Sequence, residues 1–345
     1  MKRRWIVVWL TAGLGILILF SVWRRIWLHE YRMHILHQKH ALYQQPVTNI
    51  VWIPPDTHTI PHTAEGDLIR YGRLLVVHTA RYLGPKGKIA HISNGMNCQN
   101  CHLAAGTLPF ANNFSLVAST YPKYRARNDR VETVAFRVNA CLKRSLNGEA
   151  LDTNSREMKA FVAYLLWIGG QLHANSSAGS RTPTVWGAGT EKLNYLKRAA
   201  DTNAGRMVFM TYCQNCHGRH GQGLWVDSTG EYQYPPLWGK HSYNTGAGMY
   251  RISQFAAFVK NNMPFGTSYL HPLLTDEQAW DVAAFVNTQP RQAYRDLKYD
   301  WPRIADKPVD YPFGPYADSF QEPQHKYGPF EEIEKARANI SVKQQ

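Results

Sequence analysis

The feature that most constrains this chain is the pentapeptide Cys-Gln-Asn-Cys-His, which occurs twice, at residues 98–102 and 213–217. The pattern C-x-x-C-H is typical of haem c attachment, in which the thiols bond to the haem vinyl groups and the histidine binds the iron. Zinc sites and thioredoxin-like dithiols also pair cysteines, but two copies that both end in histidine favour haem. The sequence therefore predicts a dihaem cytochrome c. Its attachment cysteines are Cys98, Cys101, Cys213 and Cys216, and its proximal histidines are His102 and His217.

The order helix, attachment motif, loop, ligand and closing helix is repeated in both halves of the chain, which indicates an internal duplication. We predict a mainly α fold with two tandem cytochrome c-type domains, each with a covalently attached haem, an N-terminal transmembrane helix and an extended C-terminal tail. At 345 residues the chain is long enough for this arrangement. The predicted boundaries are 1–30 for the anchor, 31–62 for a tether, 63–171 for the first cytochrome domain, 172–203 for a linker, 204–290 for the second cytochrome domain and 291–345 for the tail.

Apolar periodicity and capping residues predict the helices of both domains. In the second domain Thr275 and Gln278 have the spacing of a capping box, as do Asn154 and Glu157 in the first. The helices expected from these patterns cover 68–83, 132–146, a segment that begins at Asn154, 250–261, a segment that follows Thr275, and 329–339 in the tail.

The N-terminal segment has the properties of a membrane anchor. Residues 5–23 carry no charge and lie between basic residues on both sides. At helical rise this length spans roughly the ~30 Å hydrocarbon core of a bilayer, and the residues that follow suit signal-peptide cleavage poorly. We therefore predict a retained anchor in the cytoplasmic (inner) membrane of a bacterium. The catalytic domains are expected in the periplasm, because covalent haem attachment is completed outside the cytoplasm.

The formal net charge of +14 limits the kinds of partner. An excess of basic residues attracts anionic substrates or acidic proteins. The basic residues are dispersed and no nucleic-acid recognition motif is present, so the sequence argues against a nucleic-acid partner.

A six-coordinate haem iron needs a second axial donor, and that donor sets the reduction potential. For the second domain we favour Met263, because the following proline holds it extended and a thioether is a common donor in electron-transfer haems. The other candidates in that domain are Met249, Lys260, His220, His241 and His271. The candidates in the first domain are Cys141, Lys143, Met158 and His173.

Cys141 is the fifth cysteine, left over after four are used for haem attachment. A free cysteine is often a small buried apolar residue, but a lone thiol outside the cytoplasm is a liability unless it is ligated or used. Helical spacing places Arg137, Arg144 and Ser145 on its face, and nearby positive charge favours the thiolate, which donates strongly to iron. Spacing alone leaves both Cys141 and Met158 open as the first-domain donor.

The sequence resembles the dihaem thiosulfate dehydrogenases, a family that also includes tetrathionate reductases. The context of Cys141 is the discriminating part of this resemblance, since the attachment motifs occur in every cytochrome c. The N-terminal anchor departs from the soluble periplasmic pattern of the family. The segments that carry the resemblance are 95–107 around the first motif, 124–128, 137–141, 144–148, 262–266 and, in the tail, 310–318.

The resemblance implies His102/Cys141 ligation at the active-site haem and His217/Met263 ligation at the electron-exit haem. It also implies a reaction in which two thiosulfates are joined into tetrathionate and two electrons pass to an external cytochrome or terminal oxidase. Thiosulfate is a dianion, and arginine's planar fork suits its oxygens, although each arginine can instead pair with a carboxylate or a haem propionate. The predicted catalytic residues are Cys141, Arg127, Arg137, Arg144 and Ser145.

Four other functions compete with this interpretation. The chain can be a membrane-anchored dihaem electron carrier without substrate chemistry of its own, in which Cys141 is structural. A sulfur-transferase-like cytochrome is disfavoured by a methionine-ligated second haem. The anchor also allows a cytochrome subunit of a membrane oxidoreductase, and a dihaem peroxidase is disfavoured because peroxidases need an open iron site.

Overall fold

The computed structural model describes residues 51–174 and 185–343. These residues are mainly helical, as predicted, with two short antiparallel strand pairs. The predicted membrane anchor, residues 1–30, lies outside the described residues. Within the described ranges, no helix combines the length and the apolar character that crossing a bilayer requires.

The first domain is built on two long helices that pack closely. Helix α1 covers Ala64–Val77 and α3 covers Arg156–Ala174, and they meet at Gly72, where an added Cβ would lie 2.0 Å from the Ala160 carbonyl oxygen. Helix α2, Val134–Arg144, closes the domain beside α3. Its shorter elements are helices Thr79–Leu83, Leu103–Gly106 and Val117–Thr120 and the paired strands β1, Lys123–Arg125, and β2, Arg130–Glu132.

Two helix starts differ from the sequence prediction. The predicted helix 68–83 begins earlier, because Thr63 caps α1 by accepting from the Gly66 amide, and it breaks at His78, where φ is −125°. Helix α3 is capped by Ser155, whose hydroxyl accepts from the Met158 amide at 3.2 Å, one residue later than the predicted cap. Ser155 serves equally well because any short side-chain oxygen before the first turn can satisfy an unpaired amide.

The second domain repeats this plan. Helix α4, Thr202–Val208, continues through a π-helical turn, Phe209–Cys213, into helix Gln214–His217. The helix Asp276–Thr288 has the predicted capping box, in which Thr275 and Gln278 accept from each other's amides at 3.2 and 2.9 Å. The remaining elements are strands β3, Leu224–Val226, and β4, Glu231–Tyr234, the 3₁₀ turn Gly248–Tyr250, helix α5, Ile252–Asn262, and helix α6, Asp276–Thr288.

The tail packs against the second domain, as its aromatic residues suggest. Phe330 and Ile333 are fully buried in the second core beside Trp280. The described end of the predicted tether is packed too, since Trp52 and Ile60 are buried in the first core. The tail's elements are the 3₁₀ turns Leu297–Tyr299 and Ile304–Asp306 and helices Glu322–Tyr327 and α7, Glu331–Lys343.

Candidate haem centres and active site

The first attachment motif is held against the short helix Thr79–Leu83 by side-chain hydrogen bonds. The Cys98 amide donates to the Thr79 hydroxyl at 3.0 Å, and the Ala80 amide donates to the Asn97 carboxamide oxygen at 2.8 Å. Cys98 and Cys101 then line a cavity of about 300 Å³. The local sequence thus places both thiols on one cavity wall, which is the arrangement that two thioether bonds to one haem require.

His102 lines the same cavity, and contacts with neighbouring residues fix the orientation of its ring. Its Nδ1 hydrogen bonds to the Asn112 carbonyl oxygen, and Phe114 lies against the ring with centroids 4.4 Å apart. Gly106, at φ +80°, allows this packing, because a Cβ there would lie 2.1 Å from the Phe114 ring. Burial lowers the pKa of His102 to about 4. A neutral imidazole with Nδ1–H donated to a carbonyl presents Nε2 as a metal donor.

The second motif has the same design. His217 Nδ1 lies 2.8 Å from the Pro235 carbonyl oxygen, and burial lowers the pKa of His217. Cys213, Cys216 and His217 line a mainly apolar cavity of about 780 Å³. None of the five cysteines, all of which are described, forms a disulfide. Two thiols, an oriented neutral histidine and apolar walls fit a covalently bound haem c in each domain.

The structure distinguishes between the candidate donors for the first haem iron by whether they line its cavity. Cys141 lines the cavity that contains His102, together with Arg137 and Ser145. Met158 is 1% exposed within the α3 core and does not line that cavity, nor does Lys143. The remaining candidate is His173, whose side chain lies outside the described part of the structure. The geometry favours Cys141, and its bond to iron stays a prediction.

Arg137 is the predicted arginine that reaches the cavity. The pKa of the Arg137 guanidinium lies above its usual value, chiefly because of the nearby Cys141 side chain and against the opposing effect of burial. Within the described ranges Arg137 makes no ion pair with a carboxylate. The Cys141 side chain therefore has a half-buried cation near it that remains available to a second anion.

Arg127 and Arg144 do not line the first cavity. Both donate to the Gly246 carbonyl oxygen of the second domain, at 3.3 and 3.1 Å. Arg144 also makes a two-pronged pair with Asp300 of the tail, at 2.7 and 2.6 Å. Burial and the charge of Arg144 lower the pKa of Arg127 to about 10. These two arginines join the end of α2 to the second domain and the tail, so a three-arginine clamp inside the cavity is not formed.

In the second domain Met263 and Met249 both line the cavity that contains His217. Met263 directly follows α5 in extended conformation, with φ −128° and ψ 147°. Lys260 is engaged elsewhere, donating to the Leu274 carbonyl at 2.6 Å and pairing with Asp276 at 2.8 Å. The three histidine candidates do not line this cavity, and they are His220, His241 and His271.

Replacing Met263 by histidine is expected to lower the reduction potential of the second haem by about 0.1 V or more, because imidazole stabilises ferric iron better than a thioether does. Spectroelectrochemical titration of the holoprotein measures this reduction potential. Met249→Leu is the matched control and should leave that potential unchanged. A shift in the Met249 variant without one in the Met263 variant would reverse the assignment.

Several groups at these centres escape sequence reasoning. The carbonyls of Asn112 and Pro235 carry no residue-type signal, because every residue has a carbonyl. Asp300 lies 156 positions from Arg144, and no periodic pattern connects them. Gln254, from the second domain, lines the first cavity although nothing in its local sequence marks it.

Comparisons with known proteins agree with this geometry. The family model described as SoxA/TsdA, cytochrome c domain, matches residues 88–168, and a cytochrome c model matches residues 202–290. A thiosulfate dehydrogenase of Psychrobacter arcticus is 36% identical over 256 residues, covering 74% of this chain and 73% of the relative. One from Stutzerimonas stutzeri is 37% identical over 240 residues, covering 69% and 72%. One from Allochromatium vinosum is 34% identical, covering 73% and 88%.

A solved structure is also similar. It is the thiosulfate dehydrogenase TsdBA of Marichromatium purpuratum in its as-isolated form, with a TM-score of 0.64 and 31% sequence identity. The match covers 79% of this chain and 55% of that chain, so this protein corresponds to about half of the solved chain.

Proposed function

This chain belongs to the thiosulfate dehydrogenase family, and we propose that it is a dihaem cytochrome that oxidises two thiosulfate ions to tetrathionate. The observation that carries the proposal is the first cavity, where Cys141 and Arg137 lie with His102 and the attachment cysteines. A plain electron carrier does not need a cysteine inside its haem cavity, nor a half-buried guanidinium that has no ion pair with a carboxylate of the described residues.

Substrate binding is assigned to Arg137 and Ser145. Two thiosulfate dianions repel each other strongly at contact, so the cavity must supply positive charge. Arg137 offers parallel N–H donors that suit sulfonate oxygens, and Ser145 adds a hydroxyl donor. Arg127 and Arg144 act from outside the cavity by holding α2, which carries Cys141, against the second domain.

Cys141 is assigned two roles, as the second iron donor of the resting protein and as the sulfur carrier in turnover. Its thiolate and the outer sulfur of one thiosulfate form a sulfur–sulfur bond with loss of two electrons. The outer sulfur of a second thiosulfate then attacks the adduct sulfur that came from thiosulfate, releasing tetrathionate and regenerating the Cys141 thiolate, as in thiol–disulfide exchange. Bound haem would supply the acceptor for these two electrons.

The shared wall between the two cavities supports electron exit through the second domain. Met96 and Met249 each line both cavities, so the two cavities adjoin each other. We assign Met263 as the donor at the exit haem. An external cytochrome or terminal oxidase would receive the electrons there.

The chain's location is part of the proposal. The uncharged stretch at residues 5–23 supports an inner-membrane anchor, with the haem domains in the periplasm. Membrane fractions washed with alkaline carbonate should retain the full chain and release a variant in which a cleavable signal peptide replaces residues 1–30. Full release of the intact chain would refute the anchor.

The function is tested by assaying the purified holoprotein in both directions, with thiosulfate plus an electron acceptor and with tetrathionate plus a reductant. We expect tetrathionate formation, and a low-spin ferric signal with thiolate ligation in electron paramagnetic resonance. A protein that loads both haems but turns over neither substrate would be an electron carrier instead.

A further inference from the structure

The first cavity is completed by the second domain. Arg137 and Ser145 reach it from α2, whereas Met249 and Gln254 reach it from the 3₁₀ turn and α5 of the other domain. Its chemistry therefore depends on both domains. Gln254 is the polar side chain that the second domain contributes to this lining.

The tail holds the helix turn on which Gln254 lies. Asp310, which is 1% exposed, accepts from the Ser253 amide at 3.2 Å and from its hydroxyl at 2.5 Å, and from Arg251 Nε at 2.8 Å. These bonds fix the first turn of α5, on which Gln254 lies. On the other side of the 3₁₀ turn, the Gly246 carbonyl is held by two arginines of the first domain. Side chains held on rigid elements bind ligands with defined geometry.

The carboxamide of Gln254 is available to a ligand. The side chain is half-buried, and within the part of the chain that the structure describes it makes no hydrogen bond. A carboxamide supplies two N–H donors and no net charge. It can therefore orient a sulfonate without adding the strong attraction that would hinder release of the product dianion.

We propose that Gln254 is a substrate-contacting residue that binds the sulfonate of the second thiosulfate, the one that attacks the Cys141 adduct. This inference rests on the proposed function, because the reaction needs two thiosulfates together in one cavity. Arg137 and Ser145 flank Cys141 on its own helix and serve the first anion. The other domain contributes the donor for the second.

The test compares Gln254→Ala with Gln292→Ala, a control at an exposed glutamine that lines neither cavity. Loss of a hydrogen bond to a charged group should raise KM for thiosulfate about tenfold in Gln254→Ala, with kcat changed less than about twofold. Gln254→Glu should raise KM further, because its carboxylate repels the dianion. The control should match the wild type.

Equilibrium binding provides a second readout. Calorimetric titration of thiosulfate into the holoprotein held in the ferrous state, where thiosulfate cannot be oxidised, should show about tenfold weaker affinity in Gln254→Ala. Unchanged KM and affinity in both Gln254 variants, with an active wild type, would overturn this inference alone. An inactive wild type would overturn the proposed function. Comparable losses in Gln292→Ala would identify a general structural effect and also overturn the inference.

Discussion

Replacing Cys141 by methionine is expected to lower kcat for tetrathionate formation by about 10³-fold or more. Methionine is two carbon atoms larger than cysteine and still offers a thioether sulfur to iron, but it cannot form the anionic nucleophile that binds thiosulfate covalently. The attachment cysteines are untouched, so both haems should remain bound. Steady-state assays report the activity, and haem content per chain confirms loading.

The matched control for this variant is Met158→Leu. Met158 was the competing first-domain donor by spacing, yet it is buried in the α3 core away from the cavity. A volume-conserving core change of this kind costs less than about 1.5 kcal/mol and should leave turnover within about twofold. Tetrathionate formation by a fully haem-loaded Cys141→Met protein would refute the assigned role.

Replacing Asp300 by alanine is expected to lower the free energy of unfolding by about 3–5 kcal/mol, because removing one partner leaves a buried charge uncompensated. The Asp300 side chain is 2% exposed and that of Arg144 is 8% exposed, and their two hydrogen bonds are short. Tyr311 also donates to Asp300, at 3.1 Å. The loss should appear as a lower urea midpoint in far-ultraviolet circular dichroism.

Asp296→Ala serves as the exposed control for this prediction. Asp296 is 40% exposed and pairs with Arg295 at 3.9 Å, so its loss should cost less than about 1 kcal/mol. Combining Asp300→Leu with Arg144→Met removes the charges of this pair and should recover part of the stability, since Arg127, whose Nε lies 4.0 Å from Asp300, still loses its carboxylate. Equal midpoints for Asp296→Ala and Asp300→Ala would contradict the idea that this pair ties the first domain to the tail.

The positions of the helices could be predicted from local sequence patterns, but the residues at which the helices begin and end were predicted less accurately. The capping box at Thr275 was predicted and is present, since both hydrogen bonds join residues three apart. The break at His78 was not predicted. There the chain turns so that Thr79 and Asn97 can hold the first attachment motif, which is a contact between segments about 20 positions apart.

The substrate cavity shows where helical spacing stops being informative. Arg137, Cys141, Arg144 and Ser145 share a helix face by spacing, and three of them line the cavity. Arg144 turns away because Asp300 of the tail and the Gly246 carbonyl accept its guanidinium hydrogens. A long flexible side chain takes the direction of its strongest partner, and that partner belongs to a distant segment.

Haem attachment was determined by the sequence alone, because two thiols and a histidine within five residues carry the whole chemical requirement. The tertiary structure decided what surrounds them. Tertiary packing places Cys141, and not Met158, in the first cavity, and it adds Gln254 from the second domain to the lining of that cavity. Arg127 and Arg144 lie instead at the junction between the domains. Covalent attachment of haem depends on residues that are close in sequence. A cavity, in contrast, is formed by side chains from separate elements, and the packing of those elements sets the directions of the side chains.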